Sequence, residues 1–310
     1  MATIDISNVT KRYGSETALE DLSLTVRRGD IYGFLGPNGA GKSTTINLLL
    51  DFIRPTTGDV RVFGLDAADD TLEIRSRTGI LPEGVACYDR LTGRQHVAFA
   101  IESNEAADDP DDLLERVGIA DAADQKAGGY SKGMAQRLML ATALVGEPDL
   151  LILDEPSTGL DPNGAREMRE IIREENARGA TVFFSSHVLG QVEAICDRVG
   201  ILRDGQLIAE DTVDGLRDSM PNQTQLRLHL DEIPEDASAA RAALESIEGV
   251  SRVTTDGSTV VVTCGDGTKT TVMRTIEEYG VTVEDFATDE SSLEDLFVAY
   301  TEGDAREVTQ

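Results

Sequence analysis

The chain has 310 residues, 40% of them hydrophobic, with 57 Asp and Glu against 28 Lys and Arg, a net charge of −29 and a pI near 4.3. That length suffices for two domains with cores of their own, and the acidic field opposes nucleic acid and anionic membrane surfaces as partners. No apolar run approaches the ~20 residues of a membrane span and no secretory pattern opens the chain, so a soluble protein is predicted, with any membrane role exercised through a partner.

Residues 3 to 35 read as an edge strand pair leading into an apolar strand, Ile31–Leu35. Next comes Gly36-Pro37-Asn38-Gly39-Ala40-Gly41-Lys42-Ser43, and then a helical run from Thr44 to Leu50. Strand, glycine loop and helix in that order form the setting of a phosphate-binding P-loop. Glycines let backbone N–H groups turn inward onto phosphate oxygens, and the helix N-terminus adds its dipole. Lys42 can reach the β- and γ-phosphates, and the Ser43 hydroxyl can bind Mg²⁺. Thr56–Asp59 reads as a turn and Val60–Phe63 as a strand. From Val85 to about Val145 the pattern is helical, with the acidic insert Glu105–Asp112 as a loop. Within it, Tyr130-Ser131-Lys132-Gly133-Met134 opens an amphipathic helix, where a Ser and a Gly at the start make a second anion site.

Leu150–Leu153 is a buried-strand pattern that ends in Asp154-Glu155. Asp154 stands where a P-loop ATPase holds Mg²⁺, and Glu155 is placed to polarise water as a general base. Ser157-Thr158-Gly159-Leu160-Asp161 follows directly. The strand Thr181–Phe184 runs into Ser185-Ser186-His187, and a strand end is where α/β sheets place ligand groups. Val199–Leu202 completes a set of strands spaced as a parallel sheet requires. Asp204-Gly205 is a hairpin turn, Thr212–Ser219 a helix, and Pro221-Asn222 a linker. Beyond it the rhythm becomes βαββαβ, a ferredoxin-like order: Thr224–Leu230, Asp236–Ile247, Val250–Thr255, Thr259–Cys264, Thr268–Tyr279 and Val281–Phe286. A final helix is predicted over Ser291–Tyr300. Cys87, Cys196 and Cys264 suggest neither a disulfide framework nor a zinc cluster, and His229 with Cys264 reads as packing rather than as a metal site.

Taken together, these motifs resemble an ABC-family nucleotide-binding domain over residues 3 to 218. Gly36–Ser43 resembles Walker A, Leu150–Glu155 Walker B, Tyr130–Met134 the signature motif, Ser157–Asp161 the D-loop and His187 the switch histidine. Tyr13, in Lys11-Arg12-Tyr13-Gly14, matches the aromatic that stacks on adenine. The resemblance implies an α/β P-loop NTPase fold, with an ATPase domain over residues 1–220, a helical subdomain over about 85–145, and an accessory α+β domain over 221–310. It implies ATP and Mg²⁺ as ligands. Nucleotide contacts would come from Tyr13, Gly36, Pro37, Asn38, Gly39, Ala40, Gly41, Lys42, Ser43, Thr44, Ser131 and Gly133. Ser43, Glu83 and Asp154 would serve the metal, and Glu155 and His187 the hydrolysis. Two departures stand out. Glu83 occupies the place of the Q-loop glutamine and cannot donate a hydrogen bond while ionised. In the signature, Tyr130, Lys132 and Met134 replace Leu, Gly and Gln.

The same resemblance implies a homodimer acting on a separate membrane permease, on the cytoplasmic face of the cell membrane, with no nucleic acid partner. The appended domain is similar to those of ABC-2-type exporters. The segment Leu81–Arg94, with Ser186-His187-Val188-Leu189 and Ser292–Leu296, resembles the ATPase of the NosF-like, copper-related transporters. Only Lys11, Lys42, Lys126, Lys132 and Lys269 are lysines among the 28 basic residues. An acidic, arginine-rich surface resembles that of proteins from salt-loving archaea, the alternative being an acidic mesophile protein with a coding bias. A soluble ABC ATPase working on DNA or ribosomes is the competing function. The absence of sustained heptads, the single cassette and the acidity argue against it. Lys42, Asp154, Glu155 and His187 argue against a cassette that binds without hydrolysing.

Overall fold

The computed structural model describes residues 2–84, 87–218, 223–234 and 236–290. It divides into two compact units, Met1–Val213 and Asp214–Gln310.

The first unit runs in chain order through β1 (Ala2–Tyr13), β2 (Glu16–Arg27), β3 (Ile31–Leu35), α1 (Lys42–Leu49), β4 (Thr57–Val62), β5 (Leu65–Asp66), α2 (Thr71–Ser76) and β6 (Thr78–Leu81). It continues through α3 (Gly93–Ser103), α4 (Pro110–Arg116), α5 (Lys132–Ala143), β7 (Leu150–Asp154), α6 (Pro162–Arg178), β8 (Thr181–Ser186), α7 (Leu189–Glu193), β9 (Arg198–Arg203) and β10 (Gln206–Thr212). Helix α8 spans Val213–Asp218.

Two sheets form. The antiparallel one has the order β2-β1-β4-β5, and the larger one β10-β9-β3-β8-β7-β6. In the larger sheet β9, β3, β8, β7 and β6 are parallel and β10 returns as a hairpin. Strands β3, β7 and β8 are buried along their whole length. That is why each reads as a largely apolar run: both faces of a parallel sheet are covered, here on one side by α1 together with the antiparallel sheet. Ile4, Ile6, Val9, Leu19, Leu22 and Leu24 from the antiparallel sheet share one core with Phe34, Ile152 and Phe183.

Three expectations change. Thr56–Asp59 is not a free turn: β4 begins at Thr57, with Thr57 paired to Thr10 and Asp59 to Ser7 across a register shift. Gly58 supplies the turn-like signal; it sits at φ +88°, where a Cβ would lie 2.4 Å from the Asn8 carbonyl oxygen. The acidic insert is helical at its end, because Asp109 caps α4 and Pro110 takes the first helical position. Strand β6 was not anticipated. Its Gly79 lets α5 approach so closely that a Cβ would lie 1.9 Å from the Ala143 carbonyl oxygen.

The second unit runs β11 (Gln223–Leu230), α9 (Ala237–Glu245), β12 (Val250–Asp256), β13 (Thr259–Gly265), α10 (Lys269–Glu277) and β14 (Val283–Glu290). Its antiparallel sheet has the order β12-β13-β11-β14. Leu226, Leu228, Leu230, Val260, Val262 and Cys264 pack there against Leu244, Val272 and Ile276. Cys264 is thus a core residue, and His229 Nδ1 lies 3.2 Å from Thr259 Oγ1. The linker Pro221-Asn222 and the helix expected at Ser291–Tyr300 lie outside the described residues. Among the described residues, no helix is long and apolar enough to cross a membrane.

Candidate active site

The site gathers at the C-terminal ends of β3, β7 and β8, where an α/β sheet presents its crevice. Gly36 to Gly41 links β3 to α1, and α1 begins at Lys42. Lys42 is buried; its Nζ donates to the carbonyls of Gly36 at 2.6 Å and Pro37 at 3.3 Å, and lies 3.5 Å from Glu155 Oε1. Ser43, on the first turn of α1, donates to Asp154 Oδ2 at 3.4 Å. Thr44 follows it, half-buried.

Asp154 ends β7 with only 5% of its surface exposed. Its Oδ1 accepts from the Ser185 hydroxyl. Burial raises the Asp154 carboxyl above its ordinary range; the Ser185 bond opposes this, the charge of Glu155 adds to it, and Lys42 and Ser43 oppose it. Glu155 is equally buried and stands at φ +50°, a left-handed conformation that a residue with a Cβ rarely adopts. Its N–H donates to both the carbonyl and the hydroxyl oxygen of Ser185, at 3.2 Å each. Its Oε1 lies 2.9 Å from His187 Nδ1. His187 follows β8, with its side chain about half exposed.

The structure therefore joins Lys42, Ser43, Asp154, Glu155 and His187 in one contiguous cluster. A buried carboxylate and a hydroxyl 3.4 Å apart are hard oxygen donors, and two carboxylates against one lysine leave the pocket anionic. This donor set fits Mg²⁺, which takes one or two protein oxygens and keeps its other places for water and phosphate.

Other expected residues stand apart from that cluster. Glu83 is exposed in a turn after β6. Tyr13 ends β1, half exposed, with Lys11 Nζ 5.0 Å from its ring centroid. Ser131 caps α5, accepting from Met134 N–H at 3.2 Å, and Gly133 faces Leu160 and Gly159. Among the described hydrogen bonds and ion pairs, none joins Ser131, Gly133, Tyr13 or Glu83 to Lys42 or Asp154. Ser185 was given no role by the sequence, yet it holds both carboxylate residues. Its signal was a hydroxyl at the end of an apolar strand, where a buried polar group needs a partner.

A family model for ABC transporters matches residues 19–158. The bacitracin transport ATP-binding protein BcrA of Bacillus licheniformis is 42% identical over 220 residues, covering 69% of this chain and 71% of that protein. The chain belongs to the ABC transporter ATP-binding family. In this ABC protein the likeness reaches through the second unit as well. The daunorubicin resistance ATP-binding protein DrrA3 of Streptomyces coeruleorubidus is 34% identical over 316 residues, covering 99% of this chain and 98% of its own. The solved structure of an ATP-binding subunit of an ABC transporter superposes with a TM-score of 0.65 at 31% identity, over 70% of this chain and 92% of that one.

Proposed function

We propose that the chain is the Mg²⁺-dependent ATP-hydrolysing subunit of an ABC-2-type exporter, acting as a homodimer on a separate membrane permease. The observation that carries this reading is the single cluster in which Lys42, Ser43, Asp154, Glu155 and His187 meet. Backbone N–H groups of the Gly36–Gly41 loop, Pro37 having none, bind the phosphates of ATP, and Lys42 exchanges its carbonyl partners for phosphate oxygens. Ser43 and Asp154 would hold Mg²⁺, with Glu83 accepting from its bound water, and the metal would offset charge on the transferring phosphate. Glu155 takes a proton from the attacking water, and His187, hydrogen-bonded to it, holds the carboxylate and senses the terminal phosphate. Tyr13 stacks on adenine and Thr44 supports the phosphate end.

Ser131 and Gly133 lie on a helix start away from Lys42, which supports their facing the nucleotide of a second copy. The domain after residue 220 serves dimer contact or regulation. The relatives named above bear bacitracin transport and daunorubicin resistance in their names, which supports export of a compound selected by the permease. A copper-related cargo rests on the resemblance of Leu81–Arg94, Ser186–Leu189 and Ser292–Leu296. With a permease partner, the protein would work on the cytoplasmic face of the membrane.

Glu155→Gln preserves shape and removes the base. Turnover should fall by ~10²-fold or more while ATP still binds, and ATP with Mg²⁺ should convert the variant from monomer to dimer in light scattering. Turnover near wild type, or a monomer with and without ATP, would sink this reading.

A further inference from the structure

Glu155 needs more than one anchor. A residue with a Cβ at φ +50° holds that conformation only where its surroundings over-determine it. On its N-terminal side Ser185 supplies two bonds. On its C-terminal side the Glu155 carbonyl accepts from the Thr158 N–H at 3.1 Å, a bond local to the same turn, and Pro156 has no N–H to donate. Ser157 follows, buried, with its hydroxyl oxygen unpartnered. The Pro156 carbonyl accepts one side-chain bond, from Gln136 Nε2 at 3.0 Å.

Gln136 belongs to α5, the helix that starts at Ser131 and Gly133. Lys132 and Gln136, four residues apart, share one face of that helix. The Lys132 stem lies against Gly159, so close that a Cβ there would be 2.5 Å from Lys132 Cδ. A Cβ at Gly133 would lie 3.5 Å from Leu160 Cδ2. The first turns of α5 and the stretch Pro156–Leu160 are therefore packed together, and among the described residues the side-chain hydrogen bond in that contact falls one residue after Glu155.

We propose that Gln136 is a positioning residue for hydrolysis: by holding the Pro156 carbonyl it sets the carboxylate of Glu155 and ties that setting to the helix carrying Ser131 and Gly133. This rests on Glu155 being the general base. Movement of α5 when Ser131 and Gly133 engage a nucleotide is thereby transmitted to the base through one hydrogen bond.

The test uses the full chain with Gln136→Leu, which keeps bulk and loses the donor, and Gln136→Lys, which keeps a donor at similar reach. Each is made alone and with Glu155→Gln. Gln136→Glu is the second donor-free variant should the Leu protein not fold. The donor-free variant should lose about tenfold in kcat, the scale of a sub-ångström misplacement of a catalytic group. Its KM for ATP and its ATP-driven dimerisation should stay within about twofold of wild type, since uniform binding is untouched. Gln136→Lys should recover most of kcat. In single-turnover measurements on Glu155→Gln, position 136 should make no difference, because the residue it acts through has already been disabled. An unchanged kcat, a Lys variant as slow as the Leu one, an equal fold-loss in the Glu155→Gln background, or a loss seen in KM or dimerisation would each overturn the proposal. Near-wild-type turnover by Glu155→Gln alone would instead strike the general-base assignment, whatever position 136 does.

Discussion

Asp154→Asn should make the nucleotide-free protein more stable and the ATPase inactive. The carboxylate is buried, its neighbour Glu155 carries like charge, and desolvation dominates the rise in its pKa. A carboxyl whose folded pKa is raised contributes stability below its unfolded value near 3.8, and loses it as pH rises through the folded value. At neutral pH the wild type therefore carries the full penalty of a buried, ionised group. The amide escapes it: its oxygen still accepts from Ser185, and its NH₂ can donate to the Ser43 hydroxyl. Relief at a charged functional site is worth about 1 kcal/mol, or about 2–4 °C in a unit of this size. The assay is thermal unfolding without nucleotide or divalent metal, followed from about pH 8 down towards the pI. The gap should be widest at neutral pH and close as the wild-type carboxyl takes up its proton. ATP and Mg²⁺ should then reverse the ranking, since a ligand at 100 times its Kd adds about 2.7 kcal/mol to the protein that binds it. An Asn variant less stable than wild type at neutral pH, or a gap that ignores pH, would refute the reasoning.

Glu175, only 1% exposed, is gripped by Arg116 of α4 at 2.6 Å and by Arg178 at 2.8 Å. Glu175→Ala takes the buried partner from two guanidinium groups, but Arg116 keeps Glu174, Arg178 keeps the Pro148 carbonyl, and both are about one-third exposed, so the cost should be about 2 kcal/mol rather than the larger figure for a fully buried pair. An unfolding midpoint unchanged to within about 1 °C would contradict this. At a net charge of −29, raising KCl from about 0.1 M to 1 M shortens the reach of self-repulsion from ~10 Å to ~3 Å. Unfolding midpoint and ATP-driven association should both rise with salt, association more, since two acidic bodies must meet. Both falling steadily with added KCl would mean that the acidity serves another end, such as a basic partner.

Residues whose role is fixed by their own stretch of chain were legible. Gly36–Ser43 announces itself because a backbone cradle needs glycines, and β7 because a strand buried on both faces is continuously apolar. The alternation of Leu226, Leu228 and Leu230 showed which face of β11 is covered. Strand β6 was hidden because its four residues include Gly79, a poor strand former kept for the approach of α5. Thr56–Asp59 looks like a turn because the left-handed Gly58 is used inside a strand pair. Asp109-Pro110 is a cap signal that the surrounding acidic run disguised as a solvated loop. Ser185 and Gln136 escaped notice for a different reason. Their partners lie 31 and 20 residues away, and no local pattern encodes contacts that only the packed sheet creates.

The left-handed backbone at Glu155 bears on how variants of this chain would drift under laboratory selection. Holding an ordinary residue there costs roughly 1–2 kcal/mol that glycine avoids and asparagine largely avoids. That relief is outweighed at 155 itself, where losing the carboxylate would strand the buried Lys42 ammonium, so a library screened for heat resistance alone would keep Glu155 and enrich the amide at 154. The hardiest survivors would be those whose catalytic centre had been erased, so any thermal screen of this scaffold needs turnover as a paired criterion from its first round.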